Sequence, residues 1–184
     1  MRFIRYKKTT REKIKEATFD MLAEKGYKDL TMRDIAKKAG AAVGQLTYYY
    51  RTKETLVHTV LDEILTGLVA ELKNKVAKSP NKIKTLVEYY GDCCSEEPEL
   101  AKVLLNFMTE SMWNEELREM LTRYTGNVTE IIENIYVSEG LEKGQAIIKA
   151  NFLMSSISGI MAHQILSGEP VIKNGEYQKI LLNI

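Results

Sequence analysis

The sequence predicts an all-α protein of about nine helices, with an N-terminal three-helix head and a helical C-terminal body. Apolar residues recur at spacings of three and four along almost the whole chain, and no strictly alternating run bounded by hairpin turns interrupts them. Thr, Gly and Pro also stand where helices must begin and end.

The first helix opens at Thr9 with Glu12 at capping-box spacing, carries Ile14, Ala17, Met21 and Leu22 on one stripe, and closes at Gly26. The second begins at Thr31, faces Ile35, Ala36 and Ala39 inward, and ends at the left-handed position Gly40 supplies. A very short third spans about Val43 to Tyr49, so the pair has the form of a helix-turn-helix. A long fourth helix runs from Lys53 to about Lys78, with Val57, Val60, Leu61, Ile64, Leu68 and Leu72 on one face, and Ser79-Pro80 ends it. Ile83 to Cys94 gives the fifth and Leu100 to Ser111 the sixth, with Pro98 between them. The seventh covers about Glu115 to Glu139, and the eighth about Ala146 to Ser167. Pro170 and Asn174-Gly175 make a turn before a last piece, Glu176 to Ile184, which is short for a core helix and is what a truncated chain would show.

Composition narrows the function. A chain of 184 residues that is 45% hydrophobic and 28% charged has the makings of a globular core, and is too small for a large multidomain enzyme. No apolar run reaches the ~18 residues of a membrane span, and the basic start MRFIRYKKTTREK lacks a secretory signal's apolar block. A cytoplasmic protein is therefore expected, with no membrane partner. Cys93 and Cys94 are neighbours, too strained a pair for a structural staple, and read as reduced thiols.

The net charge of +1 hides an asymmetry: residues 1–53 hold 14 Lys+Arg against 6 Asp+Glu, and the remainder 12 against 19. A basic head gains free energy by releasing counterions from a polyanion such as DNA; a solvated basic face is the plain alternative.

The stretch TMRDIAKKAGAAVGQLTYYYRTKETL, with EATFDMLAEKGY before it, resembles the DNA-binding head of the TetR family of bacterial transcription regulators over about 50 residues. Its hallmarks are Thr31, Asp34-Ile35-Ala36, Ala39-Gly40, Gly44 and Leu46, the aromatic cluster and Lys53-Glu54. SEGLEKGQA, residues 138–146, looks like that family's junction before its dimerisation helices. The resemblance implies a helix-turn-helix domain at 1–52 and a ligand-binding and dimerisation domain at 53–184. It also implies a homodimer on a palindromic double-stranded DNA operator, acting as a repressor that a small apolar effector releases.

Carried over position by position, Tyr48 and Tyr49 meet phosphate and thymine methyl groups, Gln45 reaches base edges with the donor and acceptor that suit adenine, and Lys53 and Thr31 face phosphate. Arg33 and Gly44 complete the surface, the glycine allowing close approach of backbone to phosphate. Ala42, Val43 and Thr47 depart from the Ser or Thr, Lys and Tyr common there, so the operator cannot be borrowed from a relative. Tyr50 reads as packing against the first helix and the start of the fourth.

In the body, Phe107, Met108, Met112, Trp113 and Tyr124, with Tyr89 and with Leu61, Leu65 and Leu68 on the fourth helix, suit a pocket for apolar ligands or ordinary core. Glu110 in the same segment is of the type that would match a cationic ligand, but helical periodicity turns it toward water. Ser155, Ser158, Gly159, Ala162 and Leu166 make a stripe on which two copies could pack, or on which the seventh helix could. His58 and His163 lack the spacing of any hydrolytic or phosphate-binding motif, so no catalytic residue, metal site or cofactor is expected. Two alternatives stay open: a helical ligand-binding or scaffold protein that never touches DNA, and a redox or metal sensor using Cys93 and Cys94.

Overall fold

The computed structural model describes residues 8–169 and 175–183, and among these it contains nine helices and no strand. Helix α1 (Thr10–Lys25) starts at Thr9, whose hydroxyl accepts from the Glu12 N–H at 3.2 Å while Glu12 Oε2 accepts from the Thr9 N–H at 2.7 Å. This reciprocal box satisfies donors that a helix start leaves without intrahelical partners. Helix α2 (Met32–Ala39) is capped by the Thr31 hydroxyl and stops at Gly40, whose φ of 63° is open to glycine at no steric cost. Helix α3 (Val43–Tyr49) follows at once, and α4 (Lys53–Lys78) after a short bend.

The chain forms two compact units, one ending at Ile64 and the other beginning at Leu65. The sequence puts the boundary at Lys53; the first turns of α4 instead belong with the head, and Leu56, Val57, Val60 and Leu61 there are all buried. α1 packs on α2 and α2 on α3. Ile14, Leu30, Ile35, Leu46 and Leu56 are each no more than 2% exposed, and burying such a side chain contributes about 1.5–3 kcal/mol. Lys38 pairs with Glu24 and Asp20, and Lys15 with Glu63; these lie at the surface, where an ion pair adds little.

The second unit holds α5 (Lys82–Glu96), α6 (Pro98–Glu110), α7 (Glu115–Ser138), α8 (Lys143–Ser167) and α9 (Gly175–Leu182). Asn81 and Asn114 cap α5 and α7, and Pro98 opens α6, where its missing N–H costs nothing. α8 begins three residues before the Ala146 of the sequence reading, because Glu142 Oε2 accepts from the Gly144 and Gln145 N–H groups and supplies the cap. The short link from Ser138 to Lys143 makes α7 and α8 neighbours, and they form the most extensive helix contact of the unit. α5 touches α6, α8 and α9. Glu110 is buried, not facing water: it is the last residue of α6, and neighbouring Ser111 is buried with it. The turn read at Pro170 and Asn174, the terminal Ile184 and the basic residues before Lys8 lie outside the described residues. No described helix is long and apolar enough to cross a membrane.

Candidate functional site

α3 is anchored by one buried side chain, Leu46, which is wholly enclosed. The remainder of the helix is at the surface, Tyr48 at 83% exposure, with Val43 and Tyr49 about half as open. An aromatic ring that exposed takes no part in the core, which leaves its face available to a partner. The aromatic triplet divides as its chemistry requires. Tyr50 is buried, and its hydroxyl accepts from Arg11 Nε at 3.3 Å on α1. Tyr48 and Tyr49 stand outside, ring edge to ring face at 5.4 Å.

Ala42 offers no side-chain cap, and Gln45 Oε1 instead accepts from the Ala42 N–H at 3.1 Å. The Gln45 side chain thus has its acceptor engaged within the helix start and its amide donor at the surface. Thr47 donates to the carbonyls of Val43 and Gly44. A side chain at Gly44 would meet nothing within 4 Å, so crowding within the chain does not require glycine there. Thr31 and Arg33 are exposed at the start of α2, the Thr31 hydroxyl accepting from the Asp34 N–H and donating to its carboxylate. Lys53 Nζ donates to the Tyr27 carbonyl at 3.2 Å and lies 4.7 Å from the centre of the Tyr27 ring, which fixes its ammonium beside the turn between α1 and α2.

In the second unit, Phe107, Met108 and Tyr124 gather around a cavity of about 70 Å³. Met112 and Trp113 do not join them. Both lie in the turn after α6, 64% and 81% exposed, because their N–H groups bond to Thr109 and Glu110 carbonyls and break the helical phase that would carry them inward. Leu61, Leu65 and Leu68 do not border the cavity either. Tyr89 is buried but donates to the Leu68 carbonyl at 3.2 Å, and its neighbour Tyr90 lines the cavity in its place. Sequence reading missed Tyr90, Leu104, Leu121, Met154 and Met161, whose signal is ordinary helix periodicity.

Burial pushes the Tyr90 phenol well up and the Tyr124 phenol up to about 12, so both keep their protons at neutral pH. It likewise pushes Cys93 up to about 12 and Cys94 up to about 11. A buried, protonated thiol is a poor nucleophile and metal ligand, which counts against the sensor reading. Among the described residues no three His, Cys, Asp or Glu side chains gather as metal ligands would.

The small residues of α8 separate into two faces. Ala162 borders the cavity, and Ser158 lies at the edge between the cavity and an open groove beside it. Ser155, Gly159 and Leu166 are exposed in line with Ile148 and Phe152, the last at 59%. Beside that stripe an open groove of about 680 Å³ runs between α7 and α8, past Gly126, Thr129 and Asn151. Tyr177 and Ile180 on α9 are also exposed.

Residues 14–60 match the family model described as bacterial regulatory proteins, tetR family. Among solved structures, the fatty acid degradation regulator FadR from Bacillus halodurans is similar at 18% identity and a TM-score of 0.80, over 97% of each chain. A TetR transcription regulator from Haloarcula marismortui is similar at 22% identity and a TM-score of 0.79, over 95% of this chain and 93% of that one. FadR from Bacillus subtilis in complex with stearoyl-CoA is similar at 18% identity and a TM-score of 0.74, over 93% and 95%.

Proposed function

The chain carries a tetR-family head on the fold of tetR-family regulators, a family of non-enzymatic proteins, and on that premise we propose that it is a ligand-responsive transcriptional repressor of the cytoplasm. As a homodimer it binds a palindromic double-stranded DNA operator through two heads, and a small apolar effector entering the body releases it. The observation that carries this is α3 itself: a short helix held by Leu46 alone and presenting Gln45, Tyr48 and Tyr49 outward, in a head rich in Lys and Arg. A helix of that kind fits the major groove, where side chains reach base edges while cations on flanking elements meet phosphate.

The largely apolar lining of the cavity in the body, which has no charged side chain, supports an apolar effector. The exposed apolar stripe on α8 supports a two-fold contact, because such a face on an isolated chain would be left in water. α4 is continuous from Lys53 to Lys78, and a helix is stiff enough to transmit a displacement along its length. For release, the effector must favour the non-binding arrangement by about 1–3 kcal/mol, which weakens operator affinity roughly 5- to 150-fold.

The test is to sequence the DNA fragments that the purified chain retains, then titrate the enriched site at two salt concentrations. Half-sites about 34 Å apart or somewhat more, two chains per site and a steep loss of affinity with salt are expected. Salt-independent binding, one chain per site or no enriched sequence would overturn the reading.

A further inference from the structure

Two tyrosines meet inside the body. The phenol oxygens of Tyr90 and Tyr124 lie 3.2 Å apart, both side chains are buried, and both border the cavity. Each phenol carries one O–H donor. The contact between them engages one of the two protons, and among the described residues neither oxygen has another hydrogen-bonding partner. One buried proton is therefore left over, and a buried donor without an acceptor destabilises the fold until something accepts from it.

The rest of the lining defines what that something is. Phe107, Met108 and Met161 are apolar, and the other hydroxyls are engaged within their own helices: Thr125 donates to the Leu121 carbonyl and Ser158 to the Met154 carbonyl, each at 2.9 Å. No Lys, Arg, His, Asp or Glu borders the cavity. A carboxylate, phosphate or ammonium placed there would lose its water and gain no counter-charge. The volume of about 70 Å³ suits a small molecule, and methionine walls can change rotamer to admit a larger one.

We propose that the molecule bound in the body is neutral and largely apolar, and carries one hydrogen-bond-accepting oxygen, of the ketone, aldehyde or ester kind, that takes the spare phenolic proton of the Tyr90 and Tyr124 pair. This rests on the reading of the body as the effector-binding unit. It also makes a distinction that simple contact would not. Either tyrosine alone still presents a donor, so Tyr90→Phe and Tyr124→Phe singly keep the preference for the oxygen, and only the double substitution removes it.

The experiment is calorimetric titration of the full chain with four ring compounds of similar size: cyclohexanone, methylenecyclohexane, cyclohexanecarboxylate and cyclohexylammonium. Cyclohexanone is expected to bind about three- to tenfold more tightly than methylenecyclohexane, in line with one hydrogen bond, and the two ions not to bind. In the double variant the ketone and the hydrocarbon should bind alike. Thermal melting checks that this variant is folded; if it is not, the four-compound comparison on the unaltered chain decides alone. Binding of either ion as tightly as the ketone, a ketone preference that survives the double substitution, or no binding by any of the four would overturn the proposal. Ketone binding that leaves the DNA fragments retained as before would uphold the ligand class and overturn the reading of the body as a switch.

Discussion

Gln45 Oε1 accepts from the backbone N–H of Ala42 at 3.1 Å, so the outward-facing helix α3 is capped by a residue that also faces the proposed groove. Only half of a capping box is present, since alanine has no acceptor to return. Gln45→Ala should lower thermal stability by about 0.5–1 kcal/mol, and Ala42→Ser should raise it by about 1 kcal/mol. Gln45→Glu separates the two roles: glutamate caps as well as glutamine but loses the amide donor. Unchanged melting with lost operator affinity is expected, and retained affinity would show that the side chain only caps. On DNA, Gln45→Ala should reduce discrimination at particular bases by about 1–3 kcal/mol, read by competition among single-base operator variants.

Lys53 is held beside Tyr27, not free to follow a partner. A pre-positioned ammonium should contact phosphate in any sequence. Lys53→Ala is therefore expected to weaken specific and non-specific DNA nearly alike, and to reduce the slope of log affinity against log salt by about one. A loss confined to one operator sequence would contradict the phosphate role.

The division of α8 into two faces makes opposite forecasts for residues three apart. Gly159 is exposed and a side chain there meets nothing within 4 Å, so Gly159→Glu should leave the fold intact or strengthen the helix by up to about 1 kcal/mol, while two like charges facing across the two-fold axis prevent dimerisation. Ala162 borders the cavity, and Ala162→Glu should destabilise the body by forcing a charge among apolar walls. Sedimentation and thermal melting together distinguish them. A folded dimer of Gly159→Glu would put the contact elsewhere.

The buried thiols and phenols give a stability that depends on pH at the alkaline end. Burial raises Cys93 from 9.0 to about 12 and Cys94 to about 11, and raises Tyr124 from 10.0 to about 12. As pH rises, the unfolded chain loses these protons first while the folded chain still holds them. Their stabilising effect is thus complete below about pH 9 and disappears progressively toward about pH 12. The urea midpoint should be level between about pH 6 and 8 and fall steadily above about 9. At neutral pH a thiol-specific reagent should react slowly with the native chain and rapidly in urea; fast reaction without urea would restore the sensor reading.

Helix ends were written in the sequence because capping is local. Thr9 with Glu12, Thr31 with Gly40, and Pro98 each act on a backbone within four residues, whatever the rest of the chain does. Where the cap is an uncommon one, Glu142, apolar spacing alone places the start of α8 three residues late. The head's organisation was legible for the same reason, together with a charge split that needs only counting. The side chains around the cavity were not, because periodicity gives the relative phase of residues on one helix and not the direction in which the helix is turned. Tyr89 and Tyr90 have the same composition signal, and packing against neighbouring helices sent one to the Leu68 carbonyl and the other to Tyr124. Met108 and Met112 lie one helical turn apart in sequence, yet the end of α6 at Glu110 leaves the first against the cavity and the second in solvent. Gly159 and Ala162 likewise differ in which side of α8 the body covers, a choice made by helices distant in sequence, through the apolar surface each removes from water.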